Sequence, residues 1–231
     1  MERYATGMAS VLSTEERIRR TAMSLFAARG YAATGIREMA EAAGVQTASL
    51  YHYMGTKEDL LRSLMLDGNR RLLGCAQLVV EEGALPEHRL SALVQVHVLG
   101  HAHQREEAVV LDTELKSLGE EARAEVVAVR DRYEGLWRSA IEQGAAEGVF
   151  TLQNPSATRL GLLAMCTGVA HWYSPRRRGD DDALALAFAD TALGAVRARR
   201  DGADVRASSP GMPQPAAARE VLVSLGIDVS G

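Results

Sequence analysis

Apolar side chains recur along most of the chain at the spacing of an α-helix, whereas alternating runs of β-branched residues are nearly absent. In the first segment, Ser13 precedes Glu16 by three residues, which is the pattern of a capping box, and Gly30 is typical of a left-handed helix end. The apolar positions between them keep the helical period. The pattern therefore predicts a first helix over about 13–30.

Three further helices are predicted before residue 83 by apolar spacing and capping residues. We expect Thr34 to cap the second helix and Gly44 to end it, because an apolar stripe at helical spacing lies between them. A short third helix follows from about Thr47 to Tyr53. Thr56 is expected to cap a long fourth helix that extends to about Glu82.

The remainder of the chain continues the helical pattern and then changes in composition. Helices are predicted over about 87–103, 105–117, 120–147, 155–173 and 181–199. From Asp201 onward Pro, Gly, Ser and Ala become frequent, which indicates a largely disordered tail over 201–231, with a last short helix or strand in REVLVSLGIDV. The predicted fold is all-α with about nine helices, divided into residues 12–60 and 61–200 and followed by that tail.

Composition and charge limit the classes of protein that fit this pattern. Hydrophobic residues make up 47% of the 231 residues, so a sizeable core can form. The net charge is −4, and residues 1–62 carry eight Lys and Arg against seven Asp and Glu, so nucleic acid would have to be held by individually placed donors. No apolar leader opens the chain, and the low-charge run near Leu160–Tyr173 is too short to span a bilayer. We expect a cytoplasmic protein without membrane contact, in which Cys75 and Cys166 are buried, reduced thiols.

The segment around Gly44 has the sequence shape of a helix-turn-helix. Two helices are joined by a short turn containing glycine, and the second helix is short and polar on one face. Val45 and Leu50 are expected to anchor this second helix to the first. The alternative is a helical hairpin with an ordinary polar surface.

A helix of this kind fits the major groove of DNA, which admits one α-helix. Its N-terminal residues Gln46 and Thr47 are placed to contact base edges, and Ala48 is small enough for close approach to the duplex. The other residues predicted to contact DNA, mostly at phosphates, are Ser49, Tyr51, His52, Tyr53, Thr34 and Lys57. Lys57 lies in the first turn of the next helix, where its charge and the helix N-terminus together favour a phosphate.

The stretch TGIREMAEAAGVQTASLYHYMGTKEDLL resembles the DNA-binding domain of TetR-family (tetracycline-repressor-like) transcriptional regulators. The resemblance begins in RIRRTAMSLFAARGY and covers about residues 14–65. Two positions depart from the family pattern: Gln46 stands where the family often has Ser, so the cap of the recognition helix is expected to pass to Thr47, and Met54 replaces a usual Phe. The resemblance implies an N-terminal three-helix DNA-binding domain, a C-terminal helical domain for ligand binding and dimerisation, and a homodimer on a palindromic double-stranded operator, with recognition helices roughly 34–36 Å apart.

Small residues at helical spacing suggest where two subunits meet. One stripe lies in RLGLLAMCTGVAHWY and a second in ALALAFADTALGAV, and small residues let helices approach closely. The predicted interface residues are Gly161, Ala164, Gly168, Ala185, Ala189 and Ala192. The alternative is that these stripes pack inside one monomer.

The segments HVLGHAHQREEAVVLDTELKSL, RDRYEGLWRSAIEQGAAEGVF and GVAHWYSP resemble the branch of the family that senses acyl-CoA thioesters in fatty-acid and steroid catabolism. That resemblance implies a repressor released from its operator by an acyl-CoA effector. An apolar tunnel and a polar helix end would suit such a ligand. The predicted ligand-binding residues are Leu99, Val110, Leu136, Leu163, His171, Trp172 and Arg176. For the arginine run at 176–178 a solvated turn is the alternative.

Other functions remain open at this stage. A repressor of drug-efflux or secondary-metabolism genes would respond to an apolar, drug-like ligand, and a third reading is a ligand-binding helical dimer that does not read DNA. His97 and His101 lie one helical turn apart, so a metal site completed by Asp112 or Glu114 is an alternative, although such pairs usually serve packing. No nucleophile–base arrangement or phosphate loop accompanies the acidic residues, so neither an enzyme nor a cofactor is expected.

Overall fold

The computed structural model describes residues 12–80, 83–173 and 180–229. These residues form helices α1 (Thr14–Arg29), α2 (Ile36–Ala42), α3 (Thr47–Met54), α4 (Lys57–Val79), α5 (Pro86–His103), α6 (Arg105–Thr113), α7 (Glu120–Ala146), α8 (Pro155–Thr167), α9 (Val169–Trp172), α10 (Asp181–Ala195) and α11 (Pro215–Ser224). A 3-10 turn, Leu115–Ser117, follows α6, and a small antiparallel hairpin of β1 (Arg199–Arg200) and β2 (Ala203–Asp204) follows α10. The all-α fold class predicted from the sequence is confirmed.

Two of the predicted helix starts are fixed by reciprocal capping bonds. At α1 the Glu16 amide donates to Ser13 Oγ at 3.2 Å, and the Ser13 amide donates to Glu16 Oε2 at 2.8 Å. Thr56 and Asp59 make the same pair of bonds at α4, at 3.0 and 2.9 Å. The bonds from Thr56 hold the pKa of the Asp59 carboxyl below its usual value. Both capping boxes satisfy amides that the helix itself leaves without partners.

Two other capping predictions are wrong. Gly35, rather than Thr34, is the N-cap of α2, and Thr34 is buried with its hydroxyl donating to the Gly30 carbonyl at 2.9 Å. Thr34 therefore completes the end of α1 instead of the start of α2. At α3 the cap does not pass to Thr47, because Gln46 occupies the N-cap position and makes no side-chain capping bond.

The C-terminal helices end earlier than their apolar patterns suggested. The helix predicted over 155–173 is divided at Gly168 into α8 and α9, and α6 ends at Thr113 before the 3-10 turn. The helix predicted over 181–199 ends at Ala195, since Arg197 adopts a left-handed conformation with φ 49° and the chain turns back. The Ala198 amide then donates to the Leu193 carbonyl at 2.9 Å, which is the bonding pattern of a Schellman end.

The predicted disorder of residues 201–231 is wrong for the part that the structure describes, which ends at Val229. Helix α11 packs against α5, α4 and α10. The buried residues of this segment are Ala207, Met212, Pro215, Ala218, Leu222, Ile227 and Val229. Its glycines form turns, as at Gly202 and Gly211 with φ near 80°, and Pro215 is the first residue of α11, where proline is favoured. Composition suggested a linker because turn residues and disorder-promoting residues are the same types.

Helix α5 is the centre of the fold. It is buried along nearly its whole length and is in contact with α4, α7, α8, α10 and α11. The largest enclosed side chain, Trp137 on α7, packs edge-on against His97 of α5 at 5.8 Å between ring centroids. Cys75 and Cys166 are buried and unpaired, as expected, and burial raises the pKa of their thiols to about 11 and about 12. Across the described ranges, no helix combines the length and apolar character needed to cross a bilayer.

Candidate DNA-binding surface and effector cavity

The turn between α2 and α3 is held in one geometry by backbone bonds and by α1. Gly44 adopts φ 65°, a conformation that side chains rarely take, and the Val45 amide donates to the Ala40 carbonyl at 2.9 Å. Arg17 of α1 donates through Nε to the Ala43 carbonyl at 2.7 Å. Leu50 has no exposed surface and anchors α3 against this framework. The arrangement is the predicted helix-turn-helix.

Helix α3 presents most of its predicted DNA-contacting side chains to solvent. The exposed positions are Gln46, Ala48, Ser49, Tyr51, His52 and Tyr53, while Thr47 is half-buried. Tyr51 and Tyr53 are 50% and 45% exposed, although tyrosine side chains usually bury more of their surface. The His52 ring meets the Tyr53 ring edge-on at 5.3 Å between centroids. These side chains therefore share one exposed surface of α3, and their contact with DNA stays a prediction.

Lys57 and Thr34, the remaining predicted phosphate ligands, are occupied within the protein. The Lys57 Nζ donates to the Tyr31 carbonyl and lies 4.1 Å from the centroid of the Tyr31 ring. Burial lowers the pKa of the Lys57 ammonium below its usual value. In this conformation Lys57 ties α4 to the loop before α2 and reaches a phosphate only by giving up that bond. The Thr34 hydroxyl faces inward and is removed from the surface.

Arg37 was not singled out from the sequence, yet its position suits DNA. It is exposed in the first turn of α2, and no hydrogen bond or ion pair joins it to any described residue. The first helix of a helix-turn-helix crosses the DNA backbone, and a helix N-terminus favours anions. Its placement one residue inside the start of α2 was the feature that would have identified it.

A cavity of about 120 Å³ lies between helices α4, α5, α6, α7 and α8. Its lining combines apolar surface with several polar side chains and consists of Asn69, Leu72, His97, His101, Ala108, Leu111, Asp112, Arg130, Tyr133, Glu134, Leu163 and Thr167. Among these, Arg130 has no ion pair or hydrogen bond with any described residue, whereas Glu134 accepts a bond from Arg159 Nε at 2.9 Å. The cavity therefore carries a guanidinium without a hydrogen-bond partner among the described residues, beside the carboxylates of Asp112 and Glu134.

Of the predicted ligand-binding residues, only Leu163 lines this cavity. Leu99 and Val110 are fully enclosed in the solid core, and Leu136 packs against the core outside the lining. His171 is exposed, 3.7 Å from the carboxylate of the cavity residue Asp112. Trp172 is 47% exposed and stacks on Phe188 of α10 at 6.3 Å, so it points away from the cavity. Arg176 lies outside the described residues.

His97 and His101, considered from the sequence as metal ligands, form a stacked pair with 3.9 Å between ring centroids. His97 uses both ring nitrogens, Nδ1 with the Tyr133 hydroxyl at 2.7 Å and Nε2 with the Thr167 hydroxyl at 3.1 Å. Burial lowers the pKa of His97 well below its usual value and that of His101 to about 4, so both rings are neutral at pH 7. Within the described ranges, no three His, Cys, Asp or Glu side chains converge in a way that suits a metal ion.

The two small-residue stripes that were predicted to form the dimer interface have different outcomes. Ala185, Ala189 and Ala192 have no exposed surface, because this face of α10 packs against α5 of the same chain. Their assignment to a dimer interface is wrong, and the alternative of internal packing is right for them. On α8, Gly161 and Ala164 are exposed and Gly168 is half-buried, so these three stay candidates for contact with a second copy.

The outward face of α10 also presents apolar side chains. Leu184, Ala187 and Phe188 there are exposed or half-buried, and Leu160 of α8 is 54% exposed. Helices α8 and α10 are in contact, so their apolar outward faces are both candidates for a subunit interface.

Comparison with known proteins identifies the family to which this fold belongs. The family profile described as "Bacterial regulatory proteins, tetR family" matches residues 18–64, and the one described as "Tetracyclin repressor-like, C-terminal domain" matches residues 83–196. The chain belongs to the TetR family. TetR regulators bind operator DNA as dimers, and the family consists of DNA-binding transcriptional regulators rather than enzymes.

Individual TetR proteins resemble this chain over most of their length. It is 27% identical over 165 residues to the HTH-type transcriptional repressor KstR2 of Mycolicibacterium smegmatis, covering 71% of this chain and 80% of that protein. A tetR-family regulatory protein from Rhodococcus RHA1 superposes with a TM-score of 0.76 at 28% identity, over 82% of this chain and 100% of that one. The structure of AibR with isovaleryl coenzyme A and operator DNA has a TM-score of 0.68 at 26% identity, over 78% of this chain and 97% of that one. The hairpin and α11 lie beyond the TetR profile, which ends at residue 196.

Proposed function

We propose that this TetR regulator is a homodimeric repressor that binds a palindromic operator through α3 and is released from it by an acyl-CoA thioester bound in the cavity between α4 and α8. The observation that carries the proposal is that α4 and α6 line the cavity and also contact the DNA-binding helices. A ligand that changes the separation of these helices therefore acts directly on the position of α3.

One route from the cavity to the DNA-binding domain runs through α6. Helix α6 contributes Ala108, Leu111 and Asp112 to the cavity lining and packs along α1. Glu106 on the same helix accepts a hydrogen bond from the Ser24 hydroxyl of α1 at 2.5 Å. A displacement of α6 is consequently transmitted to α1, against which α2 and α3 are packed.

A second route is α4 itself, which begins in the DNA-binding domain and runs past the cavity. Arg19 of α1 donates to Ser63 at 2.7 Å and to Asp67 at 2.5 Å, both on α4. Two and five residues beyond Asp67, Asn69 and Leu72 line the cavity. The DNA-binding domain is thus fastened to the same helix that forms one wall of the ligand site.

The size of the cavity implies that effector binding changes the structure. About 120 Å³ is well below the roughly 300–1,000 Å³ of typical small-molecule sites, so a thioester enters only if the surrounding helices move apart. A ligand favours the conformation that it binds more tightly, and DNA favours the one with the correct spacing of α3 helices. The two binding equilibria are then reciprocally coupled.

The acyl-CoA class is favoured over other apolar ligands by two features. The Arg130 guanidinium lines the cavity without a hydrogen bond to any described residue and suits a thioester or phosphate oxygen. The similar AibR was crystallised with isovaleryl coenzyme A and operator DNA. Because Asp112 and Glu134 line the same cavity, a cationic, drug-like effector is kept as a comparison in the test.

The test is fluorescence anisotropy of a labelled DNA fragment from upstream of the protein's own gene. Isovaleryl-CoA and palmitoyl-CoA are added to the complex, with free coenzyme A, the free acids and a cationic dye as comparisons. We expect release by at least one thioester and by neither free acid, and an Arg130→Gln variant that still binds DNA but needs at least tenfold more thioester. Release by the dye alone would favour the efflux alternative, and absence of sequence-specific DNA binding would favour a dimer that does not read DNA.

A further inference from the structure

We infer that the buried end of the effector carries a hydrogen-bond donor, such as a hydroxyl group, and that His101 Nε2 accepts this bond. The inference rests on the proposed function, because it concerns the same cavity between α4 and α8. Among ligands of equal size, His101 thereby selects those that carry a hydrogen-bond donor.

The tautomer of His101 is determined by its backbone contact. The His101 Nδ1 lies 2.9 Å from the carbonyl oxygen of His97, one turn earlier on α5. A carbonyl oxygen only accepts, so Nδ1 carries the hydrogen. Burial lowers the pKa of His101 to about 4, and the ring is neutral at pH 7. Nε2 therefore presents a lone pair and no hydrogen.

The lone pair of Nε2 has no hydrogen-bond partner among the described residues, although His101 is only 8% exposed. His101 lines the cavity, and Nε2 is not among the fully enclosed atoms that lack a partner, so it keeps contact with the cavity space. The neighbouring His97, by contrast, has both nitrogens bonded to Tyr133 and Thr167. A buried acceptor without a partner is unfavourable once solvent is displaced, so the cavity selects ligands that supply a donor.

Three ligands of equal chain length separate the alternatives. A hydroxyl donates to Nε2, a ketone places its own lone pairs against that of Nε2, and a methylene leaves Nε2 desolvated and unbonded. A cavity of about 120 Å³ holds roughly four water-sized groups, which corresponds to a short acyl chain. The difference between donor and non-donor ligands is expected to be roughly tenfold to a hundredfold in affinity.

The first experiment is calorimetric titration of the full chain with each enantiomer of 3-hydroxybutyryl-CoA, with acetoacetyl-CoA and with butyryl-CoA. We expect one 3-hydroxybutyryl enantiomer to bind at least tenfold more tightly than acetoacetyl-CoA and butyryl-CoA. His101→Phe is expected to reduce this ratio to less than threefold, whereas His88→Phe, at the opposite end of α5 and outside the cavity lining, keeps it. Equal affinities of all four thioesters for the wild-type protein, or an unchanged ratio in His101→Phe, would overturn the inference.

The second experiment needs neither a variant nor coenzyme A. In protein labelled with ¹⁵N-histidine, cyclohexanol at millimolar concentration is expected to move the Nε2 resonance of His101 upfield, as happens when an imidazole lone pair accepts a hydrogen bond, and cyclohexanone is not. An unmoved Nε2 resonance at the highest soluble cyclohexanol concentration would overturn the inference. If cyclohexanol moves it while no thioester binds or releases DNA, the acyl-CoA proposal fails and the inference about His101 stands.

Discussion

The packing of α11 leads to a quantitative prediction about a segment that the sequence suggested was disordered. Leu222 has no exposed surface, and a methyl group added at Gly100 of α5 would lie only 3.6 Å from Leu222 Cδ2. The same added group would lie 3.8 Å from Leu72 on α4, so Leu222 fills the seam between α4 and α5. Leu222→Ala removes the packing of the leucine side chain between α4 and α5 and leaves a cavity there.

The expected loss is about 3 kcal/mol in the free energy of unfolding. Burying a leucine side chain contributes roughly 1.5–3 kcal/mol, and Leu→Ala substitutions in rigid cores cost about 2–5 kcal/mol once the residual cavity is included. Val223 supplies a matched control, since it is the next residue on α11 and is 56% exposed. Val223→Ala is expected to change the stability by less than about 0.5 kcal/mol.

Urea denaturation followed by circular dichroism measures both variants, at one fixed protein concentration because the family is dimeric. The midpoint of Leu222→Ala is expected to fall clearly below that of the wild type, with a similar slope, while Val223→Ala overlays the wild type. If the Leu222→Ala and Val223→Ala curves coincide with that of the wild type, α11 contributes nothing to the fold and the packing described for it is refuted.

Three other predictions follow from surfaces and charges described above. Arg37→Ala is expected to weaken operator binding several-fold and to reduce the slope of log affinity against log salt by about 1, measured by anisotropy at several salt concentrations; an unchanged slope would remove Arg37 from the interface. Ala187→Glu, on the outward face of α10, is expected to shift the protein from dimer to monomer in light scattering, whereas Ala124→Glu on the exposed side of α7 is not; a dimer in both would place the interface elsewhere. Burial depresses the pKa of folded His101 from 6.5 to about 4. Its contribution to stability is therefore fully present above pH 6.5 and is lost as the pH falls toward 4. The loss between pH 7 and pH 4.5 is about 2–3 kcal/mol. Urea titrations at pH 7 and 4.5 are expected to show that His101→Phe loses less stability between these values than the wild type, and equal losses would contradict the burial of a neutral ring.

The N-terminal helices were predictable because their determinants are local. Ser13 with Glu16 and Thr56 with Asp59 lie within one turn of each other, so the capping bonds can be inferred from spacing alone. The exposed face of α3 follows from the periodicity around Leu50. Thr34 was misplaced because its hydroxyl could satisfy either the start of α2 or the end of α1, and the deciding bond to Gly30 depends on the turn between them.

The C-terminal assignments failed where the partner of a surface had to be known. A stripe of small residues allows close helix packing, but Ala185, Ala189 and Ala192 carry no information on whether α5 or a second subunit approaches them. Most residues that line the cavity were not predicted for a related reason: the enclosed leucines such as Leu99 pack against other side chains, and which residues face the cavity depends on how five helices meet. The histidine pair one turn apart on α5 was noticed as a packing pair or an alternative metal site, but not as part of that lining.

The length of helix α4 determines how far the DNA-binding domain moves in the proposed switch. Its 23 residues form an unbroken rod about 34 Å long, from Lys57 in the DNA-binding domain to Val79. The cavity residues Asn69 and Leu72 lie 12 and 15 residues beyond Lys57, so a tilt of about 5° around the cavity moves the start of α4 by roughly 2 Å, more than half of the 3.4 Å rise of one DNA base pair. In a two-fold dimer the displacement occurs twice, with opposite sense. In the proposed switch, a small displacement of α4 at the cavity therefore moves both copies of α3 away from the spacing that the operator requires.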